Sequence, residues 1–167
     1  MILRWLEALI VRHGDAFCRD RRVLNEGECG HALEVFWDAL DLEPVRIARS
    51  SIPGPPMALG NLIRIPVDFE IDRFTLIHEL AHVWQYQTRG TEYISNSVWH
   101  QTIAAISTGS RAAAYDVSWA DLAAPSLLDL PAEKQAVIIE RWFASGHLRE
   151  HPDFRRHMAC VRSAKSS

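Results

Sequence analysis

The chain has 167 residues, of which 48% are hydrophobic and 23% charged, and its formal net charge at pH 7 is -3. This composition can bury the core of one domain, and the charge gives no electrostatic reason to expect nucleic acid or a membrane surface as a partner. The three cysteines lack the spacing of a metal site or a disulfide framework, so we expect reduced thiols and a cytoplasmic protein.

The N-terminal segment is apolar but carries charges. Arg4, Glu7 and Arg12 interrupt it and no small-residue cleavage site follows, so we predict an amphipathic helix over about 2–12 rather than a signal peptide. No later segment is long enough to span a membrane. We therefore predict one domain over residues 1–167, with a core at about 22–145 and a polar C-terminal tail. Export of such a protein would need a dedicated secretion apparatus.

A charged turn and an amphipathic helix are predicted next. Residues 19–22 mix three arginines with an aspartate and are expected to form a solvated turn. Residues 28–40 have apolar side chains at helical spacing. The residues predicted to face inward are Leu33, Phe36, Trp37 and Leu40.

Two stretches after this helix have the composition of strands. Residues 45–49 and 58–65 are rich in apolar and β-branched residues, and the second stretch alternates as a half-buried strand does. Residues 53–56 read Pro-Gly-Pro-Pro, which is typical of a rigid connecting loop. We expect a small sheet of two or three strands ending near residue 66.

The segment 73–89 has the signals of a complete helix. Asp72 is a suitable N-cap, apolar residues recur at helical spacing, and Arg89 followed by Gly90 is typical of a helix end. A motif that depends on helical spacing can therefore be interpreted within this segment.

That motif is His78-Glu79-Leu80-Ala81-His82. On a helix, side chains four residues apart lie on one face, so both imidazoles can bind one metal ion while Glu79 points toward a water beside it. A buried helix could instead satisfy two histidines with carbonyls or carboxylates. Three polar residues in register on an apolar helix favour metal binding, because unpaired polar groups are costly there. We expect one Zn2+ per chain, held by three protein ligands with a fourth position for water.

The third ligand is not fixed by this motif. The metzincin arrangement requires a glycine and a histidine where this chain has Gln85 and Thr88, and it is excluded. Glu92 and His100 lie a short distance downstream and remain weaker alternatives.

A second patterned helix, predicted over 131–145, offers better alternatives. Pro131 suits the first helical position, and Glu133 and Glu140 share one stripe of the helix. Glu133 is favoured because small Ala136 one turn later allows close approach of another helix. A carboxylate in a first turn can also serve the helix dipole alone, and spacing does not choose between Glu133 and Glu140.

The rest of the chain completes an α+β class in which helices dominate. Residues 96–107 and 119–124 have helical or mixed patterns, Gly146 ends the 131–145 helix, and 151–162 is predicted as a short polar helix. Three histidines near the C-terminus are expected to face solvent; they are His147, His151 and His157.

These motifs resemble a known family. His78-Glu79-x-x-His82-Val83-Trp84-Gln85 with a downstream Glu133-x-x-Ala136 resembles small bacterial gluzincin-type zinc metallopeptidases. More narrowly, the chain is similar over roughly 22–143 to short bacterial proteins labelled as related to the VgrG spike proteins of type VI secretion. The similar segments are Leu24 to Glu28, Val35-Phe36, Val45-Arg46-Ile47, Leu59-Gly60-Asn61, the 73–89 helix through Tyr86-Gln87, Tyr115-Asp116 and Glu133 to Phe143.

The resemblance implies a minimal zincin-like fold with a small sheet over the helix of the motif. It implies His78, His82 and Glu133 as zinc ligands and Glu79 as the general base. An edge strand of the sheet would bind an extended peptide. At two positions, Trp37 and Val117, the chain departs from the residues usual in this group. These departures are expected to affect how a substrate fits rather than how zinc is bound.

The resemblance thus implies a zinc metallopeptidase that acts on a peptide or protein, with a secretion-system component as a further partner. Tyr115 and His100 are candidates for donating a hydrogen bond to the developing oxyanion. Two other functions use the same residues. One is a non-catalytic adaptor pinned by zinc, and the other is a non-peptide amide hydrolase such as a cell-wall amidase.

Overall fold

The computed structural model describes residues 18–51, 54–90 and 116–164. These residues form an α+β structure in which helices dominate, which confirms the predicted class. None of the helices in the described ranges has the length and apolarity to cross a bilayer. The strands are β1 (Cys18–Arg22), β2 (Arg46–Ser50), β3 (Met57–Leu59) and β4 (Leu62–Pro66), and the helices are α1 (Glu26–Phe36), α2 (Arg73–Arg89), α3 (Trp119–Leu122), α4 (Ala132–Ala144) and α5 (Pro152–Ser163).

The four described strands form one sheet in the order β1-β2-β4-β3. The central pair β2 and β4 is parallel, and the two outer pairs are antiparallel. The prediction of one strand over 58–65 was wrong, because the chain reverses at Gly60 and Asn61 to form the β3–β4 hairpin. Gly60 has φ 63°, a conformation that glycine adopts without strain in tight hairpin turns. The short strand β3 therefore lies at one edge of the described sheet.

The charged residues 19–22 are not a turn. They belong to β1, which pairs with β2 through Cys18 opposite Ser50 and Arg19 opposite Arg49. Charged side chains are common on an edge strand because they discourage pairing with another chain.

Helix α1 begins and ends earlier than the predicted 28–40 range. Asn25 caps it through a capping box with Glu28, and Trp37 ends it with φ 55°. Two predicted core residues are wrong, because Leu33 is 53% exposed and Trp37 is 57% exposed. Trp37 instead lies under the Arg162 guanidinium, 4.3 Å from its ring centroid. The predicted burial is confirmed for Phe36 and Leu40.

Helix α2 has the bounds predicted from the sequence. Asp72 accepts hydrogen bonds from the N–H groups of Phe74 and Thr75, and the Gly90 N–H bonds the Tyr86 carbonyl at the other end. Every residue from 76 to 85 is buried. The helix therefore runs through the core, and its polar residues in this range are withdrawn from water.

Helix α4 packs against α2 and is close to the predicted 131–145 range, with Pro131 as its N-cap rather than its first residue. Helix α5 follows as predicted, but its His157 is fully buried, so the expected solvent exposure was wrong. The His157 imidazole faces Leu122, and the Leu122 carbonyl oxygen lies 2.9 Å from Nε2. The predicted 2–12 and 96–107 helices lie outside the described residues.

Candidate metal centre

Three side chains from α2 and α4 meet in the core. The Nε2 atoms of His78 and His82 each lie 3.4 Å from Glu133 Oε2. One ligand atom from each residue falls within 4.8 Å of the other two. The residues are 9%, 7% and 2% exposed, respectively. The structure thus brings together the two histidines of the motif and the downstream glutamate that the resemblance implied.

Local structure explains this meeting. His78 and His82 are one turn apart on α2, so their rings share a face, with centroids 5.1 Å apart. Glu133 lies in the first turn of α4, where the helix dipole favours a carboxylate. Because α4 packs along α2, the start of α4 is brought against this face.

Glu140 occupies a different place from Glu133. Its Oε2 lies 3.0 Å from the outer ring nitrogen of His78, Nδ1, and its side chain is 35% exposed. A carboxylate can only accept, so Nδ1 donates, and Nε2 is the nitrogen that faces the centre and can bind an ion once it has no proton. Glu140 therefore orients the His78 ring, as residues behind metal-binding histidines commonly do.

Gln85 has the corresponding position behind His82. Its Oε1 lies 2.9 Å from His82 Nδ1, and both side chains are buried. Each histidine is thus held at its outer nitrogen by a different residue. The sequence reasoning used Gln85 only to exclude a metzincin and missed this contact, although its spacing of three from His82 places it on the same helix face.

Glu79 lies between the cluster and the edge of the sheet. The main-chain N–H of Ala58 in β3 donates a hydrogen bond to its carboxylate. Its Oε2 is buried and has no hydrogen-bond partner among the described residues. Burial raises the pKa of Glu79, and the two histidines oppose this shift. A buried carboxylate oxygen with an unmet hydrogen-bonding capacity is expected where a water or ligand binds.

The cluster has a strong preference for positive charge. Burial lowers the pKa of the His78 imidazole, but Glu133 and Glu140 raise it by more, to about 10. Burial acts in the same direction on His82, and Glu133 again raises its pKa above the ordinary value. Buried carboxylates that raise the pKa of two imidazoles also favour the binding of a metal cation at the same place.

The donor set fits a divalent metal ion. Two imidazole nitrogens and one carboxylate oxygen converge from two helices, and Glu79 beside them has an unpartnered oxygen. Such a set suits Zn2+ and other borderline ions, with positions open for water or substrate. The buried group of His78, His82 and Glu133 can therefore hold a metal ion.

Other candidate residues cannot be placed. Tyr115, His100 and Glu92 lie outside the described residues. Val117 is buried, and its carbonyl accepts a hydrogen bond from Arg141 of α4, so it serves packing near the second half of that helix.

Two of the segments that carried the resemblance contact each other. A Cβ atom on Gly60 would lie 3.4 Å from the Tyr86 ring, and the Gln87 amide donates to Asn61 Oδ1 at 3.0 Å. The tip of the β3–β4 hairpin is therefore attached to the last turns of α2. This attachment holds β3, and with it Ala58, beside Glu79.

Comparison with known proteins gives no match for this chain among protein-family models, curated proteins or solved structures.

Proposed function

We propose that this chain is a zinc-dependent metallopeptidase with a minimal, gluzincin-like form of the zincin fold. The observation that carries the proposal is the buried group of His78, His82 and Glu133 with Glu79 beside it. Three ligands and a neighbouring carboxylate are the set that a hydrolytic zinc site requires. The resemblance to gluzincin-type enzymes supports the same assignment.

Each residue has a defined role in this proposal. When bound, zinc supplies a water of near-neutral pKa and polarises the carbonyl oxygen of the substrate. Glu79 would accept a proton from the attacking water on Oε2 and return it to the leaving amine. The Ala58 N–H holds the carboxylate in place, and burial raises its pKa toward the range in which a carboxylate can both take and return a proton.

An extended peptide is the substrate class that the position of β3 supports. This strand lies at an edge of the described sheet, and Ala58 joins it directly to Glu79. A peptide that adds to an edge strand is held by main-chain hydrogen bonds, and such binding would bring its carbonyl groups near the general base. A cell-wall amide would use the same water chemistry but would not need a strand edge.

A zinc-pinned adaptor is the main alternative. It has support in the position of the ligands, since they join α2 to α4. Structural zinc sites usually have four protein ligands, whereas the described cluster has three, and a pin has no use for Glu79. A secretion-system component remains the partner that the resemblance implies under either function.

The deciding experiment compares Glu79→Gln with wild type for zinc content and for cleavage of an unstructured protein. We expect Glu79→Gln to keep one zinc per chain and its fold while losing roughly 10²-fold or more of the activity, since general-base catalysis contributes about that much. Glu43→Gln, at an exposed site outside the cluster, is the matched control and should cleave as wild type does. An active Glu79→Gln protein would exclude the general-base role, and zinc binding without any cleavage would favour the adaptor.

A further inference from the structure

Two buried glutamine side chains connect His82 to the start of α4. Gln85 Nε2 lies 2.9 Å from the Ala132 carbonyl oxygen and 3.1 Å from Gln135 Oε1. Gln135 Nε2 lies 2.7 Å from the Leu130 carbonyl oxygen. Both glutamines are 1% exposed. The chain of contacts therefore runs from a histidine on α2 to two main-chain carbonyls at the beginning of α4.

Those carbonyls fix the orientation of both amides. A carbonyl oxygen can only accept, so the atom of Gln135 that faces Leu130 must be its NH2 group, and its oxygen faces Gln85. The same reasoning at Ala132 turns the NH2 group of Gln85 toward α4. Flipping either amide would turn its oxygen toward a carbonyl oxygen, so two buried acceptors would face each other without a hydrogen between them, which is costly.

The orientation of Gln85 determines which ring nitrogen of His82 carries the hydrogen. Gln85 Oε1 faces His82 Nδ1, so Nδ1 must carry the hydrogen. In a neutral imidazole the other nitrogen, Nε2, then carries the lone pair, and Nε2 is the atom directed at Glu133. A metal ligand in this position needs that tautomer.

We propose that Gln85 and Gln135 form an amide relay that positions His82 as a metal ligand and ties its orientation to the turn of α4 that carries Glu133. Resting on the proposed metal site, the inference assigns Gln85 as a positioning residue. Two of the three ligands are thereby held in relation to each other before an ion binds. The relay explains why an amide stands behind His82 while a carboxylate stands behind His78.

A carboxylate could accept from His82 but could not also donate to α4. Gln85 needs one acceptor for the imidazole and two donors for Ala132 and Gln135, and only an amide has both at this length. His78 needs only an acceptor, which Glu140 supplies from the partly exposed side of α4. The two histidines are therefore held in different ways, and only the contact at His82 joins the two helices through buried amides.

The test uses Gln85→Met, Gln135→Met and Gln87→Met in the full chain, with zinc as the probe. Methionine keeps the length of the side chain and removes its hydrogen bonds. Gln87 lies on the same helix, but its amide bonds Asp41 and Asn61, so Gln87→Met controls for loss of hydrogen bonds from α2. Zinc affinity is measured by competition with a chelator, and long-range proton–nitrogen NMR of the zinc-loaded protein reports the His82 Nδ1–H group.

We expect Gln85→Met to weaken zinc binding by roughly 10–100-fold, the usual effect of removing a residue behind a metal ligand. The slowly exchanging Nδ1–H signal of His82 should be lost with it. Gln135→Met should weaken binding less and keep that signal, and Gln87→Met should change neither measurement. If Gln85→Met does not fold, the test is the difference in zinc affinity between Gln135→Met and Gln87→Met.

Unchanged zinc affinity in Gln85→Met and Gln135→Met, or an equal loss in Gln87→Met, would overturn the relay. Activity plays no part in these measurements, so the relay and the peptidase can fail separately. Zinc binding without cleavage would remove the proposed peptidase and leave the relay supported or refuted by affinity alone. Wild-type protein that binds no zinc would overturn both.

Discussion

Within the part of the chain that the structure describes, histidines are buried in two regions, and their environments differ. His78 and His82 on α2 and His157 on α5 are all at most 9% exposed. The pKa values of the first two are raised by glutamates, to about 10 for His78. Burial lowers the pKa of His157 and outweighs the hydrogen bond with the Leu122 carbonyl, which raises it.

The difference indicates what distinguishes a candidate metal ligand from other buried histidines. Burial alone favours a neutral ring bonded to a carbonyl, as at His157, whose Nε2 donates to Leu122. A ring that faces carboxylates instead belongs to a site that attracts positive charge. Burial and spacing suggest a metal site, and the neighbouring acids decide whether one is expected.

The largest expected effect is on zinc content, when one histidine in each region is substituted. His82→Ala should abolish stoichiometric zinc binding, because two of the three ligands cannot hold the ion tightly. His157→Gln should keep the wild-type zinc content, since a glutamine amide can still donate to Leu122. Metal content by mass spectrometry, with circular dichroism as the check on folding, measures both. Zinc retained by His82→Ala, or lost from a folded His157→Gln, would break the comparison.

The two glutamates of α4 should differ in the size of their effect. Glu133→Gln removes a ligand and should reduce zinc binding to the level of His82→Ala. Glu140→Gln removes only the partner of His78 Nδ1 and should weaken affinity by roughly 10–100-fold. Competition with a chelator, measured on both variants, shows which substitution weakens zinc binding more. A larger loss in Glu140→Gln would move the third ligand to Glu140.

The pH dependence of zinc binding should show the smallest effect. Glu133 and Glu140 outweigh burial and raise the pKa of His78 to about 10, so zinc is expected to displace a proton when it binds Nε2 at neutral pH. Affinity should therefore rise with pH, by about tenfold per pH unit for each proton released. Titration calorimetry in buffers of different ionisation enthalpy counts these protons. His157→Gln should leave the slope unchanged, and a slope of zero in wild type would contradict the charge preference of the cluster.

Local signals made part of this structure predictable. Asp72 and Gly90 set the ends of α2, and the spacing of His78 and His82 placed both rings on one face. Glu133 needed the resemblance, because its approach to α2 depends on how two distant helices pack. Sequence spacing could not separate its place from that of Glu140.

The errors arose where distant contacts decide the outcome. Trp37 looked like a core residue, but it ends α1 and lies beneath Arg162 of α5, a contact that no local pattern reveals. His157 looked solvent-facing because α5 is polar overall. The Ala58 contact had no sequence signal at all, since the donor is a main-chain group.

The contact between the Ala58 N–H and Glu79 affects how the sequence of this protein can evolve. Every amino acid except proline carries the N–H group with which position 58 bonds Glu79. Substitutions at this site are limited by space, since Ala58 is 8% exposed, and by the need to avoid proline, but not by the chemistry of the side chain. Related sequences could therefore vary at position 58 while the carboxylate at position 79 keeps the same partner, so conservation would underestimate the importance of position 58.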